Sequence, residues 1–215
     1  MATHHPHEAL LVDYAAGSMH EPGSLVIASH LTLCPTCRDA VDDLESVGGS
    51  LLSTLEPTAV PDGALDTLLQ SLAGLEPHVE PPPPLGDPRI PSPLRHYLSS
   101  ESLDAVPWRG MLGGVKEHVL EVGPSPTRTF LLKMGAGKKL PRHTHRGVEL
   151  TLILEGAYTD HIGEFRRGDF VALDSDTVHQ PVITDEGDCV CLAVTDAPLR
   201  FTGPFARLMN PFLKQ

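Results

Sequence analysis

The sequence predicts an α + β chain of two unlike domains, a small helical bundle followed by an antiparallel β-barrel or sandwich. Three observations predict it. Up to residue 75 apolar residues recur at helical spacing, between 76 and 93 the composition turns to EPHVEPPPPLGDPRIPSP, and from there on short β-type runs separated by Gly, Pro and Asp take over. The unbroken run Pro81 to Pro84 can neither continue a helix nor pair as sheet. Residues 76–93 therefore read as a semi-rigid linker between domains 1–75 and 94–215.

In the first domain, the stretch EALLVDYAA from Glu8 to Ala16 is made of good helix formers, with Gly17 behind it as a stop. A second helix from Ser24 to Leu33 is apolar on most sides through Leu25, Val26, Ile27 and Leu31. From Pro35 to about Val47 a third places Ala40, Val41, Leu44 and Val47 on one face and Arg38, Asp42, Asp43 and Glu45 elsewhere. Gly48 and Gly49 interrupt it, although Leu51, Leu52 and Leu55 extend the pattern. Asp62 is the expected cap of a fourth helix in which Leu65, Leu68, Leu69 and Leu72 recur at helical spacing. A unit this small and this poor in aromatics makes a thin core, of the kind that leans on a metal or a partner. Its leucines either close a bundle or grip another protein.

Beyond the linker, strands are expected at Val115 to Val122, Thr129 to Met134, Glu149 to Leu154, Asp169 to Leu173 and Cys189 to Thr195. Cys189 and Cys191 fall on one face of the last of these and read as buried free thiols.

The whole-chain composition excludes several classes. Sixteen Lys and Arg against 28 Asp and Glu leave a net charge of −12, which disfavours a nucleic-acid surface and suits a basic protein partner. No apolar run reaches transmembrane length, and the N-terminus is polar and His-rich. Four cysteines in two tight pairs do not look like a secreted disulfide framework, so a cytoplasmic location is expected.

Two stretches carry metal chemistry. In His30-Leu31-Thr32-Leu33-Cys34-Pro35-Thr36-Cys37 an imidazole stands four residues before one thiol and seven before another. A break at Pro35 puts both cysteines at a fresh helix N-terminus, where the dipole favours thiolate. This reads as three ligands of a closed zinc site, which wants four. Spacing leaves His4, His5, His7 and His20 open as the fourth. Later, Gly137 is followed by His143, His145, Glu149 and Gly156, and Gly168 opens a strand leading to His179. Three imidazoles and a carboxylate converging on a barrel mouth suit zinc or another divalent transition metal.

This second pattern resembles the cupin superfamily. Its first motif, G-x5-H-x-H-x3-E-x6-G, is met at every position by Gly137, His143, His145, Glu149 and Gly156. Of the second motif Gly168 and His179 remain, with Asp174, Asp176 and Ile183 in place of the usual proline, glycine and asparagine. The resemblance implies a double-stranded β-helix, or jelly-roll, barrel binding metal through His143, His145, Glu149 and His179. An HxxxCxxC helical unit joined to a cupin resembles, nearly end to end, the ChrR family of zinc-binding anti-sigma factors, as do the segment TDAPLRF from Thr195 to Phe201 and the pair Pro211-Phe212. That resemblance implies a zinc-stabilised helical bundle with His5 as the fourth ligand beside His30, Cys34 and Cys37. It implies further that the bundle inhibits an extracytoplasmic-function (ECF) sigma factor, while the cupin serves release under oxidants of the singlet-oxygen type. The competing readings are a metal-dependent cupin dioxygenase and a metabolite-binding cupin sensor.

Overall fold

Helix formation in the first half follows its end signals. In the computed structural model, which describes residues 2–75 and 86–202, helix α1 (Glu8–Ala15) starts behind His7, whose ring accepts from the Ala9 N–H, and stops before Gly17 at φ +67°. Helix α2 (Glu21–Leu33) begins three residues earlier than the apolar pattern indicates. His20 caps it through the Gly23 N–H, and Pro22 fits the first turn, where no N–H is missed. Helix α3 (Pro35–Leu52) runs straight through Gly48 and Gly49. Two glycines cost a propagating helix about 1 kcal/mol each, too little to stop it. Helix α4 (Ala64–Leu72) corrects the expected cap: Gly63, at φ +77°, occupies the N-cap in place of Asp62. A short α5 (Ser92–Arg95) follows.

All five expected strands form, shifted by no more than two residues at either end. The complete set is β1 (Arg109–Gly110), β2 (Lys116–Leu120), β3 (Arg128–Met134), β4 (His143–Thr144), β5 (Glu149–Glu155), β6 (Ala157–Thr159), β7 (Glu164–Arg166), β8 (Phe170–Leu173), β9 (Val182–Ile183), β10 (Cys189–Thr195) and β11 (Arg200–Phe201). Six of them make one antiparallel sheet in the order β1-β2-β3-β10-β5-β8; β7-β6-β9 and β11-β4 make two smaller ones. Within the TDAPLRF segment, Phe201 pairs with His143. Pro211 and Phe212 lie outside the described residues.

The large sheet is buried on both faces, which is why β10 is apolar without alternation and sequestered at all seven positions. On one face Cys189, Cys191 and Ile153 meet Tyr158, Phe165 and Ile183 inside the barrel. On the other, Leu152, Val190 and Leu192 join a core that also contains Leu25, Val26 and Ile27 of α2. Helix α2 is thus apolar nearly all round because it has neighbours on two sides, α1 and α3 on one and β5 and β10 on the other. The helical front and the barrel share a core. Ile27, fully buried there, is a direct test: Ile27→Ala is expected to lower the stability of the whole chain by about 2–5 kcal/mol in urea unfolding. A loss under about 1 kcal/mol would show that the helix is not part of a common core.

Residues 76–85 of the expected linker lie outside the described residues, and its last part is bedded down. Ile90 is buried. Arg89 reaches Asp87, Asp104 and Glu155 at 2.7, 2.6 and 3.1 Å, and its guanidinium holds the Asp87 carboxyl well below the usual range. Arg167 donates to the carbonyls of Pro88 and Arg89 at 2.8 and 3.1 Å. No described helix is long and apolar enough to cross a membrane.

Candidate metal centres

The front centre forms where α2 breaks into α3. Cys34 ends one helix and precedes the other in an extended conformation, its N–H bonded to the His30 carbonyl at 2.9 Å, so His30, Cys34 and Cys37 converge. His5 comes from the chain ahead of α1, and its Nδ1 lies 3.3 Å from both Sγ atoms. Of the four histidines left open by spacing, geometry brings in this one: His7 and His20 are occupied as helix caps, and the His4 ring lies against Phe165 at 4.4 Å. One ligand atom from each of His5, His30, Cys34 and Cys37 lies within 4.8 Å of the others.

The chemistry of this group fits a metal. His30 Nδ1 is 2.9 Å from the Gly168 carbonyl, which only accepts, so Nδ1 carries the proton and Nε2 a bare lone pair. That Nε2 is buried and has no hydrogen-bond partner, a costly arrangement unless something electrophilic sits against it. Burial lowers the His30 pKa, keeping the ring in the neutral form that ligates. The thiols correct one expectation. Burial, followed by the adjacent Cys34 sulfur, pushes the Cys37 pKa up to about 12, so the helix N-terminus does not by itself yield thiolate. Two neighbouring buried thiolates need a cation between them.

The barrel centre is built by pairing. His143 and His179 form an antiparallel bridge outside the named strand pairs, exchanging both backbone hydrogen bonds at 3.0 Å, which sets the two rings side by side. Their Nε2 atoms are 2.9 Å apart, and His145 Nε2 is 3.4 Å from that of His179. His143 Nδ1 donates to the Pro141 carbonyl at 2.8 Å and His179 Nδ1 to the buried Asp160 carboxylate at 2.9 Å. Both Nε2 atoms are therefore lone-pair acceptors facing each other, an arrangement that a cation stabilises and a proton-poor cavity does not. Burial first, and for His143 the charge of its neighbour His179, lower the pKa of His143 and His145 to about 4. All three imidazoles form one group. Glu149 stands beside it: its Oε2 is 3.4 Å from His145 Nδ1, and its Oε1 accepts from Thr151 at 3.1 Å. Burial raises its pKa. Cys189 and Cys191 are buried and free, with Sγ atoms 3.7 Å apart.

Sequence reasoning misses the partners behind the ligands. Asp160 and the carbonyls of Pro141 and Gly168 fix ring orientation and tautomer, yet no ligand-spacing rule marks them; Pro141 is a local neighbour of His143, while Asp160 and Gly168 reach their histidines through tertiary folding.

Over 213 residues, 98% of either chain, the sequence is 41% identical to the anti-sigma-E factor ChrR of Cereibacter sphaeroides. The chain belongs to the ChrR family. The model of the ChrR cupin-like domain matches residues 100–198. The anti-sigma ChrR of Rhodobacter sphaeroides, solved in complex with SigE, is 40% identical and superposes with a TM-score of 0.79, covering 91% of this chain and all of that one. An RmlC-like cupin protein from Ralstonia eutropha matches at 20% identity and a TM-score of 0.42, over 49% of this chain and 78% of its own. The fold is accordingly that of the ChrR family, a helical N-terminal region followed by a cupin-like β domain.

Proposed function

We propose that the chain is an anti-sigma factor whose helical front, held by zinc on His5, His30, Cys34 and Cys37, binds an ECF sigma factor one-to-one and masks its polymerase-binding surfaces. The observation that carries this reading is an uncovered leucine face. Leu65, Leu68, Leu69 and Leu72 of α4 are 66, 54, 54 and 50% exposed, and Leu51 and Leu52 at the end of α3 are more than 60% exposed. Four exposed leucines at helical spacing on α4 mark a docking site, here for an amphipathic-helix interaction. The relative solved in complex with SigE supports the choice of partner. The donor set of two sulfurs and two nitrogens suits zinc in a closed structural site.

In the same reading the barrel binds Zn2+ or another divalent transition metal through His143, His145, Glu149 and His179, and serves release under oxidants of the singlet-oxygen type rather than the holding of sigma. The protein is a cytoplasmic regulator, not an enzyme. A His143→Ala, His145→Ala variant is expected to lose the barrel metal while retaining the front one, as read by metal analysis. Retention of two metals per chain would refute the barrel assignment. The reading as a whole is tested by affinity purification from the native cell under non-oxidising conditions, which is expected to yield an ECF sigma factor in equimolar amount. Its absence, together with oxygen uptake on a small substrate, would favour a cupin dioxygenase.

A further inference from the structure

Residues 168–170, at the turn into β8, hold the front centre from behind. The Asp169 side chain is 2% exposed and faces residues ahead of α1. Its Oδ1 accepts the backbone N–H of Thr3 at 2.6 Å and of His4 at 3.0 Å, and its Oδ2 accepts the Arg166 N–H at 2.7 Å. On the next residue the Phe170 N–H donates to the His4 carbonyl at 3.0 Å. On the preceding one the Gly168 carbonyl takes the His30 Nδ1 proton at 2.9 Å. Burial alone would raise the Asp169 pKa, but the N–H donors of Arg166, Thr3 and His4 hold it below the usual carboxylate value, so the acceptor is ionised. The bonds to Asp169 are charge-assisted and end on a buried carboxylate; one backbone bond fixes little, but three in succession along Thr3 and His4 fix a segment.

The geometry points to Asp169 as a positioning residue for the front metal: a barrel carboxylate that pins Thr3 and His4, and through them His5, while the adjoining Gly168 carbonyl orients His30. Two of the four front ligands are thereby set by the cupin rather than by the helices. The exchange rate of the front metal becomes a property of the barrel, and the link is a direct contact rather than a path through the linker. This inference rests on the reading that His5, His30, Cys34 and Cys37 bind zinc.

The test is transfer of zinc from the full-length protein to a chromophoric chelator, with the cobalt-substituted protein followed through its thiolate-to-metal absorption. Asp169→Ala is expected to speed loss of the front zinc roughly tenfold or more, the scale of a lost outer-sphere partner. It should also alter the cobalt spectrum while the barrel metal exchanges at the wild-type rate. Thr3→Pro, which removes one of the two facing N–H groups, should do the same to a smaller extent, and the double variant should be no faster than Asp169→Ala alone. Where Asp169→Ala does not fold, Thr3→Pro reads the same contact from the other side. Asp169→Asn, which retains an oxygen toward Thr3 and His4, should recover most of the slow exchange, and Asp188→Ala, a carboxylate away from this contact, should leave it unchanged. Wild-type exchange in Asp169→Ala and Thr3→Pro, additive effects, or equal acceleration at both sites would overturn the inference. A wild-type chain without front zinc overturns the inference and the underlying zinc reading together, and is distinguished by that control alone.

Discussion

Cys34→Ser, Cys37→Ser protein is expected to carry one metal fewer per chain and to bind its sigma factor at least about a thousandfold more weakly, a loss of about 4 kcal/mol. The argument starts from the size of the front. Only Leu11, Leu25, Val26, Ile27, Cys34, Cys37 and Val41 of its apolar residues are buried in the shared core, and α1, α3 and α4 contribute just three of them. Structural zinc supplies an apparent 10–16 kcal/mol of folding free energy in small domains, on the order of the whole stability of a domain. Serine leaves the cavity and removes the soft donors, and His30 Nε2 then remains buried and unsatisfied. Helix α2 should persist, because β5 and β10 hold it, while α1 and α3 lose the node that joins them. Circular dichroism should accordingly show partial, not complete, loss of helix. Metal analysis and a sigma-binding titration are the readouts, and tight binding by the metal-free double variant would refute the proposed role of the centre.

The second large effect is expected at the leucine face. Leu68→Asp, Leu69→Asp should leave stability within about 1 kcal/mol of wild type, since both side chains are about half exposed. Binding should nonetheless fall by about 3–5 kcal/mol, because each leucine buried at an interface contributes about 1.5–3 kcal/mol and each aspartate adds a desolvation cost. That corresponds to a weakening of roughly two to four orders of magnitude. Unchanged affinity would move the docking surface elsewhere. The outcome also separates the two uses of these leucines that the sequence leaves open, since residues closing a bundle would show the reverse pattern, lost stability with retained binding.

Much of the architecture is legible before folding. The strands are marked by β-branched and apolar runs bounded by Gly, Pro and Asp, and their ends agree with the structure within two residues. HxxxCxxC and the cupin spacing bring His30, Cys34 and Cys37 together and, separately, His143, His145 and His179. What goes astray is local competition between signals. Gly63 takes the cap position that Asp62 promises, because a left-handed turn there needs no side-chain hydrogen bond. Gly48 and Gly49 fail to end α3 because a helix already under way loses little at a glycine. The choice of His5 from four histidines required knowing that His7 and His20 cap helices and that His4 packs on Phe165.

The docking of the front on the barrel has a trace in the sequence, visible once explained: a helix apolar on most sides and a strand, CVCLAVT, without alternation. Both need cover on two faces, and each covers the other. A fragment ending near Leu75 would bare to water the faces of Leu25, Val26 and Ile27 that share a core with Leu152, Val190 and Leu192.

The sequence by itself determined which residue types meet at each centre, because ligand spacing along a helix or strand is a local property of the backbone. Only the tertiary structure decided what stands behind those ligands, Asp160 behind His179 and the Gly168 to Phe170 turn behind His5 and His30. Such partners lie more than a hundred residues away along the chain in the case of the front centre. Hydrogen bonds at that separation are selected by the packing of whole elements, which no short-range pattern encodes.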